Sequence, residues 1–369
     1  MKNAISRRTF SKLLGVTAAS AAVGSLPSLN CSASATETTG TVRLSSNENP
    51  YGPSSDAVKA MTDAFSLAWR YPDEYADRLS DELAKLHSVP VEQILLGDGS
   101  GEILKLSATA FNSRDKKAVI ANPTFEAIAR HAGVAGAEVV KIDLTSDYRH
   151  DLEKMLAAAN NAGLVYICNP NNPTASITPK NEISQFIQKV SSTTNVLVDE
   201  AYHHYVETKD YETVIPLVKD HPNLIVARTF SKIYGMAGLR CGYCVTQRSN
   251  ISAMKTHQVF DSVNIMALVA ATASLQDTEH VTRGRKLNSE VRKMVYDELD
   301  SLGYRYIPSH ANFMMIDLRR EVRPVISALF SRGVEVGRLF PALPQFLRVT
   351  IGTSAQMKSF LTTFKEVMA

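Results

Sequence analysis

Several side chains that could do chemistry follow the apolar, strand-like runs of this sequence. Asp199 comes directly after the run NVLV, and a buried carboxylate there needs a partner, either a cofactor cation or a structural arginine or helix N-terminus. Lys232 stands between small hydroxyl residues and an apolar stretch, eight residues before Arg240. Desolvation beside a second cation would lower the pKa of Lys232 and make its amine a nucleophile for Schiff-base chemistry, with a solvated surface lysine as the alternative.

Two further segments indicate anion binding. Gly97-Asp-Gly-Ser-Gly-Glu102 opens a helix, and glycines at a helix N-terminus predict a phosphate cradle, with a plain glycine turn as the alternative. Glu102 replaces the third glycine of the dinucleotide fingerprint, and no GK[ST] follows, so neither that fingerprint nor a P-loop is present. Arg348 lies inside the run FLRVTIG and needs an anionic partner, a structural carboxylate or a substrate anion.

Alternating helical and strand-like segments must position these groups. From residue 54 onward the alternation predicts an α/β fold whose mostly parallel sheet is covered on both faces. Active sites of such sheets lie at the carboxyl ends of the strands. A long charged helix, short strands and a last helix predict a smaller α+β domain. We expect an N-terminal arm (36–65) that joins the small domain, a large domain (66–275) and the small domain (276–369).

The first 35 residues form a leader pattern that we expect to lie outside the fold. Arg7-Arg8 in SRRTFSK precedes an apolar stretch from Leu13 to Leu26 and a candidate A-x-A cleavage site that ends at Ala35. This order predicts twin-arginine export, to the periplasm; a disordered basic N-terminus of a cytoplasmic enzyme is the alternative. The apolar stretch is too short and too rich in small residues for a stable membrane span.

Charge and cysteine usage exclude other classes of function. The formal net charge is +3, and the chain after the leader has 36 basic and 37 acidic residues, which excludes a polyanion-binding face for nucleic acid or an anionic membrane. Cys241-Gly-Tyr-Cys244 lies in a strand-like run, where positions i and i+3 face opposite sides, so we expect two core thiols. No second CxxC and no zinc-type histidine spacing occurs, and no metal is expected.

Taken together, the segments resemble the pyridoxal-phosphate aminotransferases of fold type I, class I/II, in the histidinol-phosphate aminotransferase-like branch. The resemblance runs in order from about residue 41 to the C-terminus. The segments that carry it are Ser46-Asn-Glu-Asn-Pro-Tyr-Gly52, Arg70-Tyr-Pro72, Gly97-Asp-Gly-Ser-Gly-Glu102, Asn169-Pro-Asn-Asn-Pro-Thr174, Val198-Asp-Glu-Ala-Tyr202, Ser231-Lys232, Gly238-Leu-Arg-Cys-Gly242 and Leu347-Arg-Val-Thr-Ile-Gly352.

The resemblance implies pyridoxal 5'-phosphate as cofactor and assigns roles around its ring. Lys232 would form the internal aldimine and then act as the general base at the substrate Cα. Asp199 would pair with the pyridinium nitrogen, which keeps the ring an electron sink. Asn172 and Tyr202 would hydrogen-bond the ring 3-oxygen, and Phe125 would stack on the ring.

The resemblance also implies how the anions are held. The cofactor phosphate would be bound by the backbone of Ser100 and Gly101 and the side chains of Thr229, Ser231 and Arg240. Tyr71 would reach the cofactor phosphate of the neighbouring subunit, which implies a homodimer. Arg348 would clamp the substrate anion, with Tyr51 and Arg338 nearby.

The implied function is transfer of an amino group between an amino acid, or an amino-acid-like amine, and a 2-oxo acid. Two positions depart from the family pattern: Ala175 replaces the usual glycine after Asn-Pro-Thr, and Gly101-Glu102 replaces a common acid pair. These departures and the export pattern speak against histidinol-phosphate aminotransferase proper, which stays an alternative. A lyase, racemase, decarboxylase or oxidase on the same scaffold, and a non-catalytic binding protein, are the others, because a fold does not settle a reaction.

Overall fold

The structure is a computed structural model that describes residues 40–369, and the predicted leader lies outside the described residues. The first part of the described chain contains β1 (Val42–Leu44), α1 (Ser55–Ala64), α2 (Asp73–His87), β2 (Ile94–Gly97), α3 (Gly99–Phe111), β3 (Lys117–Asn122), α4 (Ala127–Val134), β4 (Val139–Asp143), α5 (Leu152–Ala158), β5 (Ala162–Cys168), α6 (Lys180–Lys189), β6 (Asn195–Asp199), β7 (Leu224–Thr229) and β8 (Gly242–Thr246). The remainder contains α7 (Arg248–Lys255), α8 (Ile265–Gln276), α9 (Thr278–Ser301), β9 (Arg305–Ile307), β10 (Phe313–Asp317), α10 (Val322–Ser331), β11 (Val334–Val336), β12 (Phe346–Thr350) and α11 (Ser354–Met368).

Seven strands form the central sheet, in the order β2-β8-β7-β6-β5-β3-β4. All neighbours from β7 to β4 run parallel, and only β8 runs antiparallel to both of its neighbours. Cys168 at the end of β5 pairs with Asp199 at the end of β6, which in turn pairs with Ala227 of β7. The carboxyl ends of these three strands therefore lie side by side, and the predicted α/β class with a mostly parallel sheet is confirmed.

Helices cover both faces of this sheet, because both faces of its strands are apolar. Val165 and Val196 belong to one buried cluster, whereas Leu164 and Leu197, their neighbours along the strands, belong to another. Successive residues of a strand point to opposite faces, so the two clusters are the two sides of one sheet.

The two thiols of the CxxC sequence follow the same rule. Cys241 lies in the first of these clusters and Cys244 in the second, and both are free and fully buried. The prediction of core thiols is confirmed. Within residues 40–369 no group of histidine, cysteine and carboxylate side chains has the geometry to hold a metal ion.

The C-terminal part has its own sheet and core. β12, β10 and β9 form an antiparallel sheet, and β1 of the N-terminal arm pairs in parallel with β11. Leu44 of β1 is buried in the same apolar cluster as Met314, Val349 and Phe360. The arm thus packs on the C-terminal part; the domain boundaries given above stay a prediction. No helix within residues 40–369 has the length and apolar character that a membrane crossing requires.

Local sequence explains where the key helices begin. The Ser54 side chain accepts a hydrogen bond from the Ala57 N–H and caps α1, and Thr353 and Gln356 form a reciprocal capping box at α11. α3 differs, because Asp98 at its N-cap makes no side-chain capping bond. The first N–H groups of α3 are therefore left for another acceptor.

Candidate active site

A cavity of about 620 Å³ opens where β5, β6 and β7 end. Twelve of the fourteen side chains predicted from the sequence line it: Ser100, Gly101, Phe125, Asn172, Asp199, Tyr202, Thr229, Ser231, Lys232, Arg240, Arg338 and Arg348. Eight residues that were not predicted complete the wall: Ser45, Ser46, Asn47, Cys168, Ala201, Ala237, Glu335 and Val336. The structure thus brings the predicted lysine, carboxylate and anion-binding groups to one site.

One end of the cavity is suited to a phosphate. The uncapped N-terminus of α3 presents backbone N–H groups and the positive end of the helix dipole. Gly99 has a φ of +71°, and a Cβ at this position would collide with the Arg240 guanidinium, so the close approach of Arg240 requires glycine. Arg240 itself is held by Asp98, whose carbonyl oxygen lies 3.2 Å from Nη2.

Two hydroxyl groups complete this end. The Thr229 hydroxyl donates to Ser231 Oγ at 3.0 Å, and the Ser231 N–H donates to Thr229 Oγ1 at 3.1 Å. Both residues are buried, so their side chains are fixed by each other and by the end of β7. Together with Arg240 they form a polar cradle with more donors than acceptors for an anion.

The site also contains a buried carboxylate. Asp199 is buried, and its Oδ1 accepts from the Ala201 N–H at 3.1 Å. Its Oδ2 accepts from the Tyr166 hydroxyl at 2.9 Å. Burial raises the pKa of Asp199 to about 6, and the hydrogen bond from Tyr166 opposes this rise. Asp199 is therefore mostly ionised at neutral pH and would gain from a cation placed against it.

Lys232 follows Ser231 directly in the chain and lines the same cavity. Its Nζ donates to the Asn47 carbonyl oxygen at 3.2 Å. Burial and the nearby Arg348 lower the pKa of Lys232 to about 8, against the opposing effect of carboxylates such as Asp199. About a tenth of the amine is therefore neutral at pH 7, and the neutral form is the one that a nucleophile requires.

A hydrogen-bond network connects the centre of the site to its outer wall. Tyr202 Oη accepts from Asn47 Nδ2 at 3.1 Å and lies 3.5 Å from Asn172 Nδ2. Asn172 Oδ1 accepts from Arg348 Nη1 at 2.9 Å. Burial raises the pKa of the Tyr202 phenol, so it is neutral and can donate to an acceptor placed in the cavity.

Arg348 closes the network at the outer wall. Its Nη2 donates to the Ser45 carbonyl oxygen at 2.7 Å, whereas its buried Nε has no hydrogen-bond partner. Burial lowers the pKa of this guanidinium. Since a buried cation with an unused donor is costly, the geometry favours an anion in front of Arg348.

Arg338 and Phe125 lie at the rim. Arg338 Nη2 is 2.7 Å from Glu126 Oε2, in an ion pair whose two side chains are both more than half exposed. Such an exposed pair contributes little stability, so Arg338 can exchange partners readily. Phe125 is 40% exposed and lines the cavity, so part of its side chain is open to a ligand.

Two predicted residues lie outside this cavity. Tyr51 lines a separate cavity beside the N-terminus of α9, and Tyr71 is 79% exposed on the surface. In the described chain neither side chain is part of the Lys232 cavity.

The two departures from the family pattern, Ala175 and Glu102, have local explanations. Ala175 takes the positive φ of +57° itself, and Glu102 accepts from the Asp98 N–H and the Ser262 hydroxyl. The turn that usually contains glycine is thus retained with a strained alanine.

Five of the eight unpredicted residues lie in the arm or in β11, which reasoning from the ends of the central strands does not reach. Asn47 and Ser45 belong to the arm, and Glu335 to β11, so only tertiary packing brings them to the cavity. Tyr166 lies in the middle of β5. A lone tyrosine in the otherwise apolar run GLVYIC was the available signal, because a buried phenol needs a hydrogen-bond partner.

These features define a fold type I site for pyridoxal 5'-phosphate. The uncapped helix and Arg240 fit its phosphate, Asp199 fits its ring nitrogen, and Lys232 fits its aldehyde. Bound there, the cofactor would supply an electron sink for the substrate's Cα electrons. The residues present therefore fit the group.

Comparison with known proteins identifies the family. Residues 39–364 match the family described as aminotransferase class I and II, and the chain belongs to it. A histidinol-phosphate aminotransferase from Moorella thermoacetica is 40% identical over 332 residues, which cover 89% of this chain and 86% of that protein.

Two solved structures are similar over nearly the whole of their own chains. A putative histidinol-phosphate aminotransferase from Erwinia carotovora atroseptica has a TM-score of 0.86 at 32% identity, covering 88% of this chain and 95% of that one. A histidinol-phosphate aminotransferase from Sinorhizobium meliloti, in complex with pyridoxal-5'-phosphate, has a TM-score of 0.84 at 27% identity, covering 88% and 90%. The chain is a pyridoxal-phosphate-dependent aminotransferase, as predicted.

Proposed function

We propose that this aminotransferase transfers an amino group between an amino acid, or an amino-acid-like amine with an anionic end, and a 2-oxo acid. The observation that carries the proposal is the position of Arg348, whose guanidinium lines the same cavity as Lys232 and donates to Asn172 and Ser45, with no ion-pair partner among residues 40–369. An amine whose anion rests on Arg348 would present its carbon skeleton toward Lys232. This arrangement supports positioning of the reacting carbon by the anion.

The side chains around Lys232 suit proton transfer. Lys232, with its lowered pKa, would take the proton from the substrate Cα and return it to the cofactor side. Asp199 would hold the proton on the ring nitrogen through a charged hydrogen bond. Tyr202 and Asn172 would orient the ring by donating hydrogen bonds to its oxygen. Cavity walls from the arm and the C-terminal part would exclude water.

The anionic end of the amino donor, which binds Arg348, is either a carboxylate or a phosphate. Histidinol phosphate is the second candidate, favoured by the names of the similar proteins from Moorella thermoacetica and Sinorhizobium meliloti. An amino acid is the first, because the leader pattern indicates export, away from a cytoplasmic biosynthetic substrate.

The test is the visible absorbance of the purified full-length protein before and after addition of single donors. We expect amino acids to bleach the cofactor band and a 2-oxo acid to restore it, whereas Lys232→Ala does neither. Histidinol phosphate as the only donor that bleaches the band would establish the second candidate. Bleaching that no 2-oxo acid restores, with loss of CO₂ or ammonia from the donor, would overturn transamination in favour of a lyase or decarboxylase.

We also propose a homodimer in which each subunit completes its partner's site. Large apolar side chains are exposed on the described chain, namely Phe65, Trp69, Tyr71, Val259 and Phe260, and such exposure is typical of an interface. Tyr71 would donate its hydroxyl to the cofactor phosphate of the partner subunit. Light scattering of the full-length protein measures the expected mass of two chains.

Mixing two inactive variants tests the sharing of sites. Lys232→Ala subunits lack the lysine, and Tyr71→Phe subunits lack the hydroxyl. If Tyr71 acts across the interface, a mixed dimer contains one site with both groups, so activity rises on mixing above the mean of the two variants. Activity that stays at that mean would contradict sharing.

The leader supports export by the twin-arginine route, and we propose a periplasmic enzyme. Fractionation of cells that express the full chain should recover the enzyme from the periplasm. Replacing Arg7 and Arg8 by lysine keeps the charge and should retain the enzyme in the cytoplasm. Periplasmic recovery of both forms would overturn the twin-arginine assignment.

A further inference from the structure

Glu335 is a second carboxylate in the wall of the Lys232 cavity, in addition to Asp199. It occupies the middle of β11, between Val334 and Val336, which are buried in the C-terminal core. Because strand side chains alternate, the Glu335 side chain points away from that core. The strand therefore presents a half-buried carboxylate to the cavity.

The contacts of Glu335 place it at the substrate end of the cavity. The Ser45 hydroxyl donates to Glu335 Oε1 at 2.8 Å, and the Ser45 carbonyl oxygen accepts from Arg348 at 2.7 Å. Gly337, two residues further on, donates its N–H to the Arg348 carbonyl oxygen at 2.9 Å. Ser45 thus joins Glu335 to Arg348, the residue proposed to hold the substrate anion.

The neighbouring cations are engaged elsewhere. Arg43 lies opposite Glu335 in the β1–β11 pair, yet its Nη2 is 3.1 Å from Glu48. Arg338 pairs with Glu126, and Arg348 donates to Asn172 and Ser45. Across residues 40–369, no lysine, arginine or histidine nitrogen lies within ion-pair distance, 4.0 Å, of the Glu335 carboxylate.

We propose that Glu335 selects amino donors whose side chain carries an N–H group that is cationic or strongly polarised, an imidazole or a protonated amine. An ionised carboxylate only accepts hydrogen bonds, so it attracts such a group and repels a second carboxylate. The inference rests on the proposed function, because it requires the donor's anion to lie on Arg348. The site then recognises a donor by two charges of opposite sign.

The test compares donors of opposite side-chain charge with Glu335→Gln. This variant keeps the size of the side chain and an oxygen for Ser45, and removes the charge. We expect kcat/KM for histidine, histidinol phosphate and lysine to fall about tenfold or more, and that for glutamate to rise. Glu138→Gln is the matched control: Glu138 is exposed, directly precedes the edge strand β4, and its substitution changes the net charge equally, so the kcat/KM values for both kinds of donor should stay as in the wild type.

If Glu335 has only a structural role, Glu335→Gln should lower kcat/KM for all donors by the same factor. That result would overturn the proposal. Binding of non-reacting analogues gives an independent readout through the cofactor absorbance. The dissociation constant of imidazole propionate should rise in Glu335→Gln and that of glutarate should fall; unchanged constants for both would also overturn it. If the wild type accepts no amino donor at all, the proposed function fails. If Glu335→Gln is active and its preference among donors equals that of the wild type, only the role of Glu335 is overturned.

Discussion

Tyr166 offers a way to change the pKa of Asp199 without replacing Asp199 itself. Its hydroxyl donates to Asp199 Oδ2 at 2.9 Å, and both side chains are buried. Replacing Tyr166 by phenylalanine removes this hydrogen bond and preserves the ring. A hydrogen bond to an ionised group contributes about 1.5–3 kcal/mol, and about 1.4 kcal/mol corresponds to one pKa unit. The pKa of Asp199 should therefore rise from about 6 to about 7–8.

The consequence is a loss of ionised Asp199 near neutral pH. At pH 7 the ionised fraction would fall from about nine-tenths to between about a half and a tenth. Because the ionised form pairs with the protonated ring nitrogen, the affinity for pyridoxal phosphate should fall about two- to tenfold at that pH. The loss should shrink as the pH rises, since both proteins then carry the charge.

The assay titrates cofactor-depleted full-length protein with pyridoxal phosphate between about pH 6 and pH 8.5, a range that spans the expected pKa values. Tyr205→Phe is the matched control, because Tyr205 is also buried and makes no hydrogen bond to Asp199 among the described residues. We expect the midpoint of the pH dependence to move upward by about one unit or more in Tyr166→Phe only. Equal midpoints in the wild type and Tyr166→Phe would refute the reasoning.

Two further predictions follow from the same structure. Arg348→Leu removes the guanidinium that is proposed to hold the substrate anion. If the anion accepts two charged hydrogen bonds of about 1.5–3 kcal/mol each, kcat/KM in steady-state assays should fall about 100-fold or more, whereas cofactor occupancy by absorbance should be retained. A fall of less than threefold would contradict the anion clamp. Burial lowers the pKa of His150 to about 4, so below about pH 6.5 the unfolded chain takes up a proton that the native protein does not, and stability falls as the pH falls. Between pH 7 and about pH 4.5, the free energy of unfolding measured in urea should fall by about 2–3 kcal/mol more in the wild type than in His150→Gln. Equal falls in the two proteins would contradict this role of His150.

The sequence predicted the sheet well because its signals are local. Apolar runs such as GLVYIC and NVLV are long enough to indicate buried strands, and the predicted long charged helix is α9. α8 was not recognised, because its residues are apolar on almost every side and give no periodic pattern. Val91–Gln93 form a short 3-10 helix directly before β2, which begins at Ile94.

Sequence order predicts that a residue lies at the cavity when the residue ends its strand. Asp199 and Thr229 end strands of one parallel sheet, so chain order alone places them together. Asn47 and Glu335 reach the cavity only because β1 pairs with β11, a contact between segments nearly 300 residues apart that no local pattern reports. Tyr71 has its proposed role only in an assembly of two chains, which one chain cannot display.

The central claim is that Lys232 carries the cofactor and passes it to the amino substrate. Borohydride reduction of the purified full-length protein, followed by peptide mass spectrometry, measures this directly. We expect one phosphopyridoxyl group on the peptide that contains Lys232, its loss when an amino donor is added before reduction, and its return with a 2-oxo acid. A label on another lysine, or a Lys232 label that no donor removes, would contradict it.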